Sequence, residues 1–148
     1  MADILSKKAN QNQITATWAH DQGFYGVAIS RKYYYVFLSV RNFMLSLKNN
    51  PYNLEELSDI KNGNNQFKGA HGPTIRHFDV EAHKSKAIPP WKIDQTINDF
   101  VSFRELRNIA EYDPVEINMK HWGSCTNFAA KIMEMINDLD KELNVDEY

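Results

Sequence analysis

A single cysteine in 148 residues, Cys125, rules out an internal disulfide, and its neighbours Thr126, Asn127 and Phe128 offer no second thiol for a metal or redox pair. A reducing cytoplasm is the expected compartment. Long hydrophobic runs are also missing. The longest mainly apolar stretch, Tyr33 to Val40, lies between Arg31 and Arg41 and falls far short of the ~20 residues that span a bilayer, so no membrane association is expected. Met1 to Asn12 carries Lys7 and Lys8 with no apolar segment behind them, and no secretory leader is expected either. Charge of one sign does not dominate: 17 Lys and Arg stand against 19 Asp and Glu, for a net charge of −2, with no dense basic block. That argues against strong nonspecific duplex binding and leaves any nucleic-acid contact local. No glycine-rich phosphate loop, no H-E-x-x-H and no Cys-x-x-Cys occurs, so nucleotide hydrolases and the common zinc enzymes have no support, and neither cofactor nor metal is expected.

Present instead are ordinary globular proportions, 43% apolar and 24% charged residues, in a chain of the usual one-domain length. Residues 1–148 are read as one domain with its core over about 14–143. Asp3 to His20 is compatible with a first helix carrying Ile4, Ile14 and Trp18, although the Asn- and Gln-rich stretch Ala9 to Gln13 blurs its periodicity. After the break at Asp21-Gln22-Gly23, Tyr33, Phe37, Val40, Met44 and Leu47 recur at steps of three or four, which predicts a long second helix. The tyrosine-rich run there favours a strand by propensity, but the helical period persists for four turns and outweighs it. Residues 49–69 hold Pro51, Gly63 and six asparagines, Asn62, Asn64 and Asn65 clustered around Gly63, and read as the main loop, with one short turn at Leu54-Leu57-Ile60.

A third helix is predicted over His71 to His83, with Pro73 in its first turn and Ile75, Phe78 and Ala82 facing inward; Pro89-Pro90 is read as closing it. Asp94 is the expected N-cap of a fourth helix carrying Ile97, Phe100, Val101, Leu106 and Ala110, ended by Asp113-Pro114. Phe128, Ile132, Met135, Ile136, Leu139 and Leu143 mark a fifth. With no alternating strand pattern, the expected fold is all-α: an antiparallel four- to five-helix up-and-down bundle with crossings near 20°. His71, His77 and His83, six apart, would be turned about 240° from one another on a helix, so they do not form a metal triad.

The stretch Ala28-Ile29-Ser30-Arg31-Lys32-Tyr33-Tyr34-Tyr35-Val36-Phe37 resembles the second-helix marker of HEPN proteins, which reads alanine, x, Ser or Asn, Arg, small, Tyr-Tyr, small, x, Phe. Further on, His71-Gly72-Pro73-Thr74-Ile75-Arg76-His77-Phe78 is similar to that family's His-x-x-x-Ile-x-x-Phe segment. Leu106-Arg107-Asn108-Ile109-Ala110-Glu111-Tyr112-Asp113-Pro114 is similar to its Leu-Arg-x-x-Ala-Asp-Tyr-Asp-Pro segment. Lys32 and Tyr35 stand where the family has small residues, and Leu38 where many members carry a polar aromatic or histidine. The resemblance implies a HEPN-like bundle working as a cytoplasmic homodimer in a prokaryotic toxin-antitoxin or phage-defence module, directed at RNA. It also implies a metal-independent endoribonuclease. Yet active members carry Arg, four to six residues, then His, and here the four residues after Arg107 lead to Tyr112. The alternative is a noncatalytic interaction module that binds a partner such as a nucleotidyltransferase antitoxin, or a nucleotide; a structural bundle subunit is a third.

Metal-free RNA cleavage needs a base for the 2′-hydroxyl, an acid for the leaving oxygen and positive charge against the phosphorane. Arg104 and Arg107, three apart, share a helix face and could supply charge, doubled in a symmetric dimer; equally, they could complement a helix C-terminus, with Glu111 paired to Arg107. A tyrosine is a poor base, since a phenol with pKa near ~10 is ionised about one part in a thousand at pH 7. Tyr112 therefore reads either as a replacement for the histidine or as a core aromatic orienting Arg107. Glu111 would serve as a base only if desolvated, and His121 is the spare imidazole that a tight return at Asp113-Pro114 would bring toward Arg107. Arg76 and His83 match the motif spacing on the wrong helix and are read as coincidence. Arg31, Tyr34 and Asn108 complete the candidate RNA-binding set, Arg31 with Tyr34 and Tyr35 forming either a stacking ridge or a lining of the bundle.

Overall fold

Every regular element of the computed structural model, which describes residues 2–49, 51–58 and 71–144, is a helix. There are six among the described residues: α1 (Ala2–Asp21), α2 (Tyr25–Leu45), α3 (Leu54–Leu57), α4 (Gly72–Ala82), α5 (Pro90–Tyr112) and α6 (Met119–Leu143). The all-helical expectation holds, with one short helix more than the four or five expected. The tyrosine-rich segment is helical, and no strand occurs among the described residues. None of the described helices is long and apolar enough to cross a membrane. Most of the loop expected at 49–69, including Ile60, lies outside the described residues.

The hub is α2, which packs against each of the other five helices, while α5 packs on α2, α4 and α6. One buried cluster runs through α2 to α6, with Tyr33, Val36 and Met44 from α2, Ile75 and Phe78 from α4, Phe100 and Phe103 from α5, and Ile132 and Leu139 from α6. The face anticipated for α2 is the buried one, because a 3.6-residue repeat keeps Tyr33, Phe37, Val40 and Met44 on one side. Asn118 begins α6 by accepting the Lys120 and His121 amides at 3.0 and 3.4 Å, and His121 reaches back to the Asn118 amide at 3.1 Å in a reciprocal cap.

One expectation is corrected, and one helix face is new. The fourth long element begins at Pro90, with Pro89 as its N-cap, rather than at Asp94. A proline at the first helical position lacks only an N–H that would have no helical partner there, so Pro89-Pro90 opens α5 instead of merely closing α4. Ile4, Ile14 and Trp18 are exposed at 54%, 61% and 56%; α1 buries Leu5, Ala9, Ala16 and Ala19 instead. Small side chains let α1 lie close on α2, and a search for large apolar residues overlooks such a face.

Candidate active site

Three segments converge beside the first half of the α2 core face. From α2 come Ser30, Tyr33, Tyr34, Phe37 and Arg41; from the segment entering α4 comes His71; from the last turns of α5 come Arg104, Arg107, Glu111 and Tyr112. The helical period puts Tyr33, Phe37 and Arg41 one turn apart, so they present successive rungs to the same neighbours.

Arg107 is the most constrained cation. Its side chain is 12% exposed, and it donates through Nη2 to the Tyr34 hydroxyl at 2.8 Å and through Nη1 to the Asn108 side chain at 3.0 Å. It pairs with Glu111 at 2.7 Å, one turn on. The guanidinium lies 5.0 Å from the Tyr34 ring centre and 5.5 Å from that of Tyr112. Its Nε–H is buried without an acceptor, although a buried donor normally has one. Glu111 is held in turn by Ser30, which donates to it from α2.

His71 also adjoins the Tyr34 ring. Its Nδ1 shares a 2.8 Å hydrogen bond with the Tyr33 hydroxyl. Its ring stacks on Phe37 with centres 4.1 Å apart, lies parallel to Tyr33 at 5.4 Å and meets Tyr34 edge-on at 5.8 Å. Arg41 covers Phe37 at 4.6 Å and donates through Nε to Thr74 at 3.1 Å. The imidazole therefore adjoins two aromatic rings that each carry a guanidinium, Phe37 with Arg41 and Tyr34 with Arg107. Burial, then the Arg107, Arg41 and Arg104 charges, push its pKa down to about 4, outweighing the opposite pull of Glu111. At neutral pH it is uncharged. Burial also raises the Tyr33 phenol well above its ordinary value, against the pull of Arg104, Arg107 and Arg41, so that hydroxyl keeps its proton.

Of the residues singled out in the sequence, Arg107, Glu111, Tyr34 and Asn108 form one hydrogen-bonded group, and Arg104 lies close enough to act electrostatically on His71 and Tyr33. Tyr112 is 71% exposed, so it is not the core aromatic of one reading; its ring nonetheless lies under Arg107. Arg31 diverges from Tyr34. It reaches Asn12 on α1 at 3.5 Å and borders a recess of about 450 Å³ with Phe24, Val27 and Glu111. Tyr35 turns away from both, beneath Lys32. The hydrogen bonds of His121 stay within the cap of α6.

Two members escaped the sequence reading. In the sequence, His71 stands out as the first residue of the His-x-x-x-Ile-x-x-Phe resemblance and for its spacing from His77 and His83, with no site role attached, and Arg41 only as the flank of an apolar run. The available signal was their shared period with Tyr33, Phe37 and the His71-Gly72-Pro73 entry to α4, which becomes legible only once α2 and α4 are packed together.

Elsewhere, Asp79, His83 and Asp94 offer ligand atoms within 4.8 Å of one another, a set that could hold a cation. As they stand, His83 Nδ1 donates to the Asp79 backbone carbonyl at 2.9 Å with the Asp79 carboxylate 3.0 Å away as a charge contact, and Nε2 lies 3.1 Å from Asp94. A cavity of about 550 Å³ runs between α1, α2 and α6 past Asn10, Tyr35, Asn42 and Ile136, away from the arginine group.

An uncharged imidazole beside three guanidiniums and a carboxylate can bind an oxyanion and move a proton next to it, without a metal. No protein-family model, curated protein or solved structure matches the chain.

Proposed function

We propose that this chain is an RNA-directed protein of the HEPN type, a metal-independent endoribonuclease that binds the scissile phosphate at Arg107 and Arg104 and acts as a cytoplasmic homodimer within a prokaryotic toxin or defence module. The observation that carries the reading is the fixed, nearly buried Arg107 guanidinium, oriented by Tyr34, Glu111 and Asn108. A guanidinium that merely balanced a helix end would gain little from such constraint, since that interaction is worth only about 0.3–1 kcal/mol. A preorganised cation facing a developing phosphorane is worth far more, because it need not be reoriented during reaction. The exposed Phe24, Val27, Ile109, Tyr112 and Val115, around the ends of α2 and α5, offer apolar area for the second copy.

Incubation of the protein with single-stranded RNA in chelator, beside Arg107→Ala and Tyr112→Phe, tests this reading. Cleavage by the wild type that Arg107→Ala abolishes and Tyr112→Phe largely spares is the expected result. Intact RNA at high protein concentration would sink the nuclease and leave a noncatalytic module whose partner is a protein such as a nucleotidyltransferase. Light scattering on the same preparation reads the oligomeric state, for which twice the monomer mass is expected.

A further inference from the structure

Resting on that reading, we infer that His71 is the proton-transfer group of the site, taking the place of the histidine missing from the arginine-bearing helix. The inference stands first on geometry. Phe37 and Tyr33 fix the imidazole plane, Tyr33 anchors Nδ1 at 2.8 Å, and the ring borders the same Tyr34 side chain that holds Arg107. An aromatic slot of this kind fixes a base in position but also removes water from it, which discourages charge.

The Tyr33 oxygen can accept from Nδ1–H, and in that tautomer the Nε2 lone pair is the available base. The charged and titratable groups around it are Tyr33, Tyr34 and Arg41 from α2 and Arg104, Arg107 and Glu111 from α5. Three of these are cations, and together with burial they keep the free imidazole unprotonated at neutral pH. A phosphodiester drawn to the arginines offsets much of that positive field, so the base grows stronger when substrate is bound.

The step then balances without an outside reagent. The 2′ oxygen bonds to phosphorus as its proton passes to His71 Nε2. The bond from phosphorus to the 5′ oxygen breaks, and the imidazolium returns the proton to that oxygen. The products are a 2′,3′-cyclic phosphate and a free 5′-hydroxyl, with no net proton, water or electron consumed. Arg107 and Arg104 stabilise the extra negative charge of the phosphorane.

The test compares wild type, His71→Asn, His71→Gln and Arg107→Ala on a single-stranded RNA oligonucleotide in chelator. Asparagine keeps a donor near the position of Nδ1 for Tyr33 but has no Nε2, so it separates chemistry from packing. The expected result is a fall in kcat of about 10²–10⁴-fold for both His71 variants with KM little changed, and loss of the acid limb of the wild-type pH profile. NMR titration of the His71 ring should also show its midpoint rising when an all-2′-deoxy oligonucleotide is added. If both His71 variants cleave within about threefold of wild type while Arg107→Ala is inactive, the nuclease reading stands and His71 has no chemical part. If wild type itself leaves RNA intact, the cleavage reading fails, and this assignment with it.

Discussion

Replacing Tyr33 by phenylalanine removes one oxygen from a fully buried ring and leaves the partner nitrogen of His71 without its hydrogen bond. A typical intramolecular hydrogen bond contributes about 0.5–1.5 kcal/mol net, and abandoning a buried polar atom costs about 1–3 kcal/mol. Because His71 is only half-buried, water can reach it in part, and the expected loss is in the lower part of that range, about 1–2 kcal/mol. For a chain of this size each kcal/mol shifts Tm by about 2–4 °C, giving a fall of about 2–8 °C. Urea denaturation followed by circular dichroism measures the loss directly. A double-mutant cycle with His71→Leu isolates the bond itself, with an expected coupling of about 0.5–1.5 kcal/mol. Strict additivity in that cycle would refute the Tyr33–His71 pairing, and with it the anchoring of the imidazole.

Phe100→Ala should cost about 3–5 kcal/mol by the same urea assay, since the ring is fully buried against Tyr33 and Phe78. Folded His71 titrates at about 4, below its unfolded value, so stability should decline as pH falls from about 6.5 toward 4 and level off below, a slope that His71→Asn removes. His83 runs the other way. Its hydrogen bond to the Asp79 carbonyl, with the Asp79 and Asp94 charges, raises its pKa. That contribution is complete below about 6.5 and fades as pH climbs through the raised value, which His83→Gln should abolish in a stability-against-pH series. Cys125 is buried in α6 and its thiol is pushed up to about 12, so labelling by an aromatic disulfide at pH 8 should wait on unfolding and accelerate sharply in urea.

How much of this could be read in advance differed by element. The faces of α2 and α6 were legible because large apolar side chains recur at helical spacing and every turn agrees. The α1 face was not: its inward residues are mostly alanines, which carry little hydropathy contrast, while its conspicuous Ile14 and Trp18 point outward. The start of α5 was misread because a proline pair signals a stop and a start equally well. At the site, Arg107 and Glu111 lie one turn apart, and that local pairing was anticipated. The Tyr33–His71 bond spans 38 residues and the Ser30–Glu111 bond 81, so both depend on how helices pack, which no local pattern encodes.

The placement of α1 bears on how the molecule opens. Among the described elements only α2 makes extensive contact with it, and the seam is lined with alanine, which gives up little apolar area when exposed. Peeling this helix away leaves the cluster shared by α2 to α6 intact, so its amides are the ones that exchange with deuterium through a low-energy partial opening while those of α2 wait for global unfolding. The imidazole and guanidinium groups are all carried by the slow-exchanging remainder, and the chemistry proposed for them survives a molecule whose α1 is fraying.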